Sequence, residues 1–287
     1  MVRRPKTGTD AAHKAADRQV DRARDVLAEC ARVLVRATEE RQLLGDMCHI
    51  AVEKGGYLMA WVGLTRDDER RTIKPVAAEG LDAGYVQSMR FSWGDDPAGR
   101  GPAGVAVRTG RTQTIRDTAT DPSFAPWREA ALVRGYRAVA ALPLKIDGAT
   151  FGVLAIYAAE PGAFDAGETH LLEELADDIA YGVGNLRRRE AQQRAETALA
   201  LGYAVGVSIA EAENEPAAVR AAIRAICDKQ GWDCGRYWLV DAAAGGILAQ
   251  RMDHVADIVQ QRGQHRGRRA VVGLADPRLE QRMEHLA

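Results

Sequence analysis

RAVAALPLKI (137–146) and TFGVLAIYA (150–158) decide the fold. Each is an apolar run of strand length, and Asp147-Gly148 between them is a two-residue hairpin signal, since both central positions of such a turn need positive φ. Upstream, DPSFAPWREAALVRGY (121–136) reads as a loop and a helix ended by Gly135. In GRGPAGVAVRTGRTQTIRD (99–117), Pro102 suits a first helical turn, Ala103–Arg108 continue it and Gly110 closes it, before a short strand at Thr112–Arg116. VQSMRFSW (86–93) reads as a strand, and YLMAWVGL (57–64) with Thr72–Ala78 as a hairpin around Asp67-Asp68-Glu69.

Helices flank these strands. Thr38-Glu39-Glu40 opens one whose apolar stripe is Leu43, Leu44, Met47, Ile50 and Ala51, stopped by Gly55-Gly56. Before it, Val20, Ala23, Leu27, Cys30 and Leu34 lie on one seam of an N-terminal helix over 15–37. A two-heptad seam fits a coiled coil or an amphipathic helix packed on its own domain, and both readings stay open. Residues 1–14, polar and without apolar period, read as a disordered arm. Downstream, Asp165-Ala166-Gly167-Glu168 is a capping-box pattern opening a long helix through Leu172, Leu175, Ile179, Gly182 and Leu186. It continues as a charged linker over 187–204.

ICDKQGWDCGRYWLVD (226–241) echoes IAVEKGGYLMAWVGLTRD (50–67): helix, glycine stop, aromatic residue, apolar strand, Asp. A second, partial domain of the same type is therefore expected over 205–250, truncated, with an irregular tail over 251–287. The chain has 287 residues, formal net charge −1 and 46% hydrophobic residues. The near-zero charge argues against nucleic-acid or anionic-membrane partners, and no run is long and apolar enough to span a bilayer. The N-terminus lacks the apolar core of a signal peptide and four cysteines make no disulfide framework, so the expected location is cytoplasmic.

The order of elements is that of an α+β domain, an antiparallel sheet flanked by helices with long N- and C-terminal helices. Residues 38–186 resemble a GAF domain of the kind found in bacterial multidomain signalling proteins beside diguanylate-cyclase or histidine-kinase modules. The resemblance rests on CHIAVEKGGYLMAWVGL, the 99–117 block, DPSFAPWREAALVRGYRAVAALPL and FGVLAIYAAEPGAFDAGETHLLEELADDIAYGV. It implies a small-molecule sensor and homodimer module whose terminal helices pass a signal onward, with no catalytic residue of its own.

The candidate ligand-binding residues are Trp61, Trp93, Arg108, Thr114, Asp117, Phe124, Trp127, Tyr136 and Tyr157. The aromatics among them equally suit a packed core, and Asp117 after a strand better suits a turn or helix cap. Gly99, Gly101 and Gly104 satisfy G-x-G-x-x-G, but no strand precedes them and Pro102 interrupts them, so the dinucleotide reading fails. The loop-to-helix start leaves backbone N–H groups for an anionic ligand group. Segment 81–160 has no cysteine, which removes the chemistry of free methionine-R-sulfoxide reductases and the attachment point of a bilin. Segment 57–164 has no histidine for haem; no cofactor and no metal site is expected.

Overall fold

The computed structural model describes residues 24–81, 84–232, 239–241 and 246–248. The expected arm, the first residues of the N-terminal seam and the tail lie outside them. The chain divides into two compact units, Met1–Glu190 and Ala191–Ala287.

The first unit is built on a five-stranded antiparallel sheet in the order β2-β1-β5-β4-β3. Its strands are β1 (Met59–Thr65), β2 (Ile73–Gly80), β3 (Gln113–Ile115), β4 (Ala138–Ile146) and β5 (Ala149–Ala158). The α+β class read from the sequence is the one observed. Asp147 and Gly148 take φ of 51° and 81°, and the hairpin they close pairs Ile146 with Ala149. The expected strand 86–93 is not one. Gly84, at φ 77°, opens the single helical turn α3 (Tyr85–Ser88), which buries Tyr85 and Val86, and beyond it an isolated bridge pairs Ser92 with Thr72, just before β2.

Period-two alternation divides the core into two layers. Ala60, Val62, Ala140, Leu142, Leu144, Leu154 and Ile156 point to a layer covered by helix α1 (residues 24–36), α2 (Glu40–Glu53) and α6 (Ala166–Ala210). Met59, Trp61, Val139, Ala141, Val153, Ala155 and Tyr157 point to the other. That second layer is covered by short pieces: α3, the 3₁₀ turns Pro97–Arg100 and Pro122–Trp127, α4 (Pro102–Thr109) and α5 (Arg128–Val133). Of the two readings of the N-terminal seam, the helix packs on its own domain: Val26 and Cys30 are buried, and Leu34 lies against Gly182 of α6.

Helix α6 begins with Asp165 accepting from the Glu168 N–H at 2.8 Å, half of the expected capping box. The buried Glu168 carboxylate accepts a hydrogen bond from the Tyr57 hydroxyl. Further along, Arg187 donates twice to Glu40 at 2.7 and 2.9 Å and lies over the Phe151 ring, tying α6 to α2 and β5. In the second unit, Asn214 caps α7 (Glu215–Gln230), Gly231 ends it at φ 67°, and β6 (Leu239–Asp241) pairs antiparallel with β7 (Gly246–Leu248). Gly56 ends α2 in the same left-handed conformation, φ 70°.

Candidate functional site

The short-element side of the sheet is an aromatic layer. β1 contributes Trp61, fully buried, whose ring meets Phe91 at 4.4 Å. β5 contributes Tyr157, the residue entering β4 contributes Tyr136, and α3 contributes Tyr85. Their three rings lie 4.8–5.8 Å apart, two of the pairs edge-on. The Tyr85 and Tyr157 hydroxyls are hydrogen-bonded, and burial followed by these neighbours pushes the Tyr85 phenol far up, so it stays neutral. Tyr136 donates to the Leu81 carbonyl. The Pro122–Trp127 turn adds Phe124 and Trp127, 5.8 Å apart. Trp127 lies flat against Gly101, where a Cβ would come within 2.7 Å of the ring.

The Trp61 Nε1–H is buried and has no acceptor among the described residues. Leaving such a donor unpaired costs about 1–3 kcal/mol. The benzo edge of the indole, through Cζ3, lies over Gly63, within 2.7 Å of where a Cβ would stand. The Nε1 edge therefore faces away from Gly63. Amino-acid sequence carries no signal for an unpaired indole; periodicity places Trp61 on a strand but not the fate of its nitrogen.

The other sequence-derived candidates stand apart. Trp93 is at the margin, donating through Nε1 to the Arg66 carbonyl at 3.1 Å with Arg71 over its ring. The Arg108 guanidinium is anchored to backbone: its Nη1 donates to the carbonyls of Gly99 and Gly94 at 2.6 and 2.7 Å. It thereby holds the 93–99 loop. Asp117 accepts from the Ala119 N–H and pairs with Arg137 at 3.1 Å, contacts that hold its carboxyl below the usual range. That is a turn role. Thr114 pairs with Ala140 and so shares the opposite sheet face, where it is exposed. Trp61, Phe124, Trp127, Tyr136 and Tyr157 do share one layer, joined by Tyr85 and Phe91 from the stretch whose pattern predicts a strand. The glycines of the 99–104 motif serve close packing: a Cβ on Gly104 would strike the Gly99 and Ser92 carbonyls.

The thiols lie elsewhere. Cys30 and Cys48 belong to the helix layer, and burial pushes both up to about 12. Among the described residues no cluster of three or more His, Cys, Asp or Glu side chains is disposed to hold a metal ion, and no helix is long and apolar enough to cross a membrane.

A profile described as "GAF domain" matches residues 37–183, half of the chain. The chain belongs to the GAF domain family. GAF domains typically serve as sensor or regulatory modules in signalling proteins. No curated protein matches the chain. Among solved structures, this GAF protein is similar to free methionine-R-sulfoxide reductase from Neisseria meningitidis, at 22% identity and TM-score 0.48, over 58% of this chain and 91% of that one. It is likewise similar to the GAF domain of a phosphoenolpyruvate-protein phosphotransferase from Coxiella burnetii, at 19% identity and TM-score 0.48, over 59% and 98%. A bacteriophytochrome from R. palustris aligns at 13% identity and TM-score 0.56, covering 85% of this chain and 53% of that one. At that identity the likeness is one of fold.

Proposed function

We propose that this GAF domain is the small-molecule sensor and dimerisation part of a signal-transduction protein, and not itself an enzyme. The observation that carries this is the division of the core. Two long helices and α1 cover one face of the sheet, while the other holds aromatic rings, an unpaired buried donor and a cover of helices no longer than eight residues. A ligand with higher affinity for one arrangement of the 81–136 segments shifts the population toward it, and the helices carry the bias outward. The thiols support the non-enzymatic part, because both described cysteines of this unit are protonated and on the wrong face for chemistry in the aromatic layer. Dimerisation finds support in the exposed Leu199, Tyr203 and Ile209 of α6 beside Gly202 and Gly206, which have open space around them.

The second reading is an interaction scaffold whose aromatic layer is plain core. Its supporting observation is that Trp61, Tyr136 and Phe124 are at most 2% exposed. A thermal-shift screen of the full chain against cyclic nucleotides, amino acids and aromatic metabolites separates the two. A ligand at 100 times its Kd stabilises by about 2.7 kcal/mol, or roughly 5–10 °C for a unit of this size. The sensor reading expects such a shift, lost in Trp127→Ala while that variant still unfolds cooperatively. A flat response across the panel favours the scaffold.

A further inference from the structure

We infer that Trp61 is the specificity-determining donor of the aromatic layer, and that the ligand it selects is a flat, uncharged ring system bearing a carbonyl or ring-nitrogen acceptor. The inference rests on the sensor reading and adds the ligand's chemistry to it. Four observations converge. The Trp61 indole N–H is fully buried and without an acceptor among the described residues, so the layer holds one unused donor. The indole's benzo edge lies over Gly63, so the donor edge faces away from that glycine, within the layer that also holds the tyrosine rings. The material around it suits stacking rather than ion pairing: Phe91 at 4.4 Å from the indole, and the three mutually packed rings of Tyr85, Tyr136 and Tyr157.

The fourth observation is charge. Among the described residues the buried polar and charged side chains are Ser92, Thr118 and Glu168, and the one ionisable group of these, Glu168, bonds Tyr57 of the helix layer. Arg108 is committed to the Gly94 and Gly99 carbonyls, Arg137 to Asp117, and Arg134 lies over the Tyr85 ring while donating to the Ala130 carbonyl. An anion such as a cyclic nucleotide taken into this layer would lose its water for no buried counter-charge, since the Arg134 guanidinium beside the Tyr85 ring is only half-buried, and the interior disfavours that exchange. An uncharged acceptor carries no such penalty and satisfies the one donor left over. Phe91 covers the indole at a tilt from a segment with no regular structure.

Quinoline and naphthalene test this as a pair, since they match in shape and differ by one ring-nitrogen acceptor; quinoline-2-carboxylate adds the anion. The readout is the ¹H–¹⁵N spectrum of the indole groups in the full chain. The Trp61 signal is assigned by elimination, using Phe variants of Trp93, Trp127, Trp232 and Trp238, so Trp61 itself stays intact. Quinoline is expected to bind saturably and move the Trp61 indole proton downfield, at least tenfold more tightly than either naphthalene or the carboxylate. In Trp61→Phe, where that variant folds, the preference for quinoline over naphthalene is expected to vanish. Equal affinity for quinoline and naphthalene, or a Trp61 signal unmoved by saturating quinoline, overturns the inference. Saturable binding of a cyclic nucleotide or of the carboxylate with the Trp61 signal unmoved overturns it while leaving the sensor reading intact. Absence of binding by all three probes also overturns it, and the sensor reading then stands or falls on its own thermal-shift screen.

Discussion

Gly104 and Gly45 are both helical glycines, and they are expected to behave oppositely when given a methyl group. A Cβ on Gly104 strikes two backbone carbonyls, those of Gly99 and Ser92, which have no rotamer by which to yield. A Cβ on Gly45, inside α2, meets nothing within 4 Å. Gly104→Ala should therefore destabilise the domain by about 1–3 kcal/mol, and Gly45→Ala should stabilise it by about 0.5–1 kcal/mol through helix propensity. Urea unfolding of the two variants measures both signs. An unchanged midpoint for Gly104→Ala would mean that the 92–104 loop is not packed as described. The same contact shows where sequence reading stopped at this scale. G-x-G-x-x-G was recognisably out of context for phosphate binding, yet the need for glycine comes from two carbonyls brought in by tertiary packing. The unpaired Trp61 nitrogen was hidden for the same reason.

At the scale of elements, the legible parts were those with strong local chemistry. The Asp147-Gly148 turn, the glycine stops at Gly56 and Gly231 and the Asp165 cap each adopt the backbone that their residue types favour. The stretch 86–93 alternates weakly and follows a helical turn whose Tyr85 is buried against the Tyr136 and Tyr157 rings from two other segments, which local propensity does not encode. Glu168 is the instructive intermediate case. Its spacing from Asp165 marks a helix start correctly, and its carboxylate also takes the Tyr57 hydroxyl, 111 residues away in sequence. That bond fastens the first turn of α6 to the start of β1, next to Leu58, whose N–H donates to the Tyr157 carbonyl. Tyr57→Phe keeps the ring contact with Phe164 and removes only the hydroxyl. It should cost about 1–3 kcal/mol in a chemical unfolding titration. A loss below about 0.3 kcal/mol, small beside the ~1 kcal/mol usual for one hydrogen bond, would remove the tether from the account.

For the molecule as a whole, the fold was more legible than the site. Antiparallel order, flanking helices and the class of domain follow from period-two runs and glycine punctuation. The candidate residues divided according to whether their neighbours were local. Aromatics on strands converged because strand periodicity sends them to one face. Arg108, Asp117 and Thr114 did not join them, because carbonyls, an arginine and strand register decide their surroundings. What the architecture adds is an asymmetry: a helix-covered face tied down at Tyr57–Glu168 and Glu40–Arg187, and an aromatic face under short segments. The sensor account requires the second face to respond to ligand and the first to read the response. Hydrogen–deuterium exchange on the full chain tests this most directly, comparing the free protein with the protein bound to the compound that stabilises it most in the thermal-shift screen. The account predicts slowed exchange across 85–133 together with a change in the amides of α6 between 166 and 187. Protection confined to 85–133, with α6 exchanging as in the free protein, would contradict it.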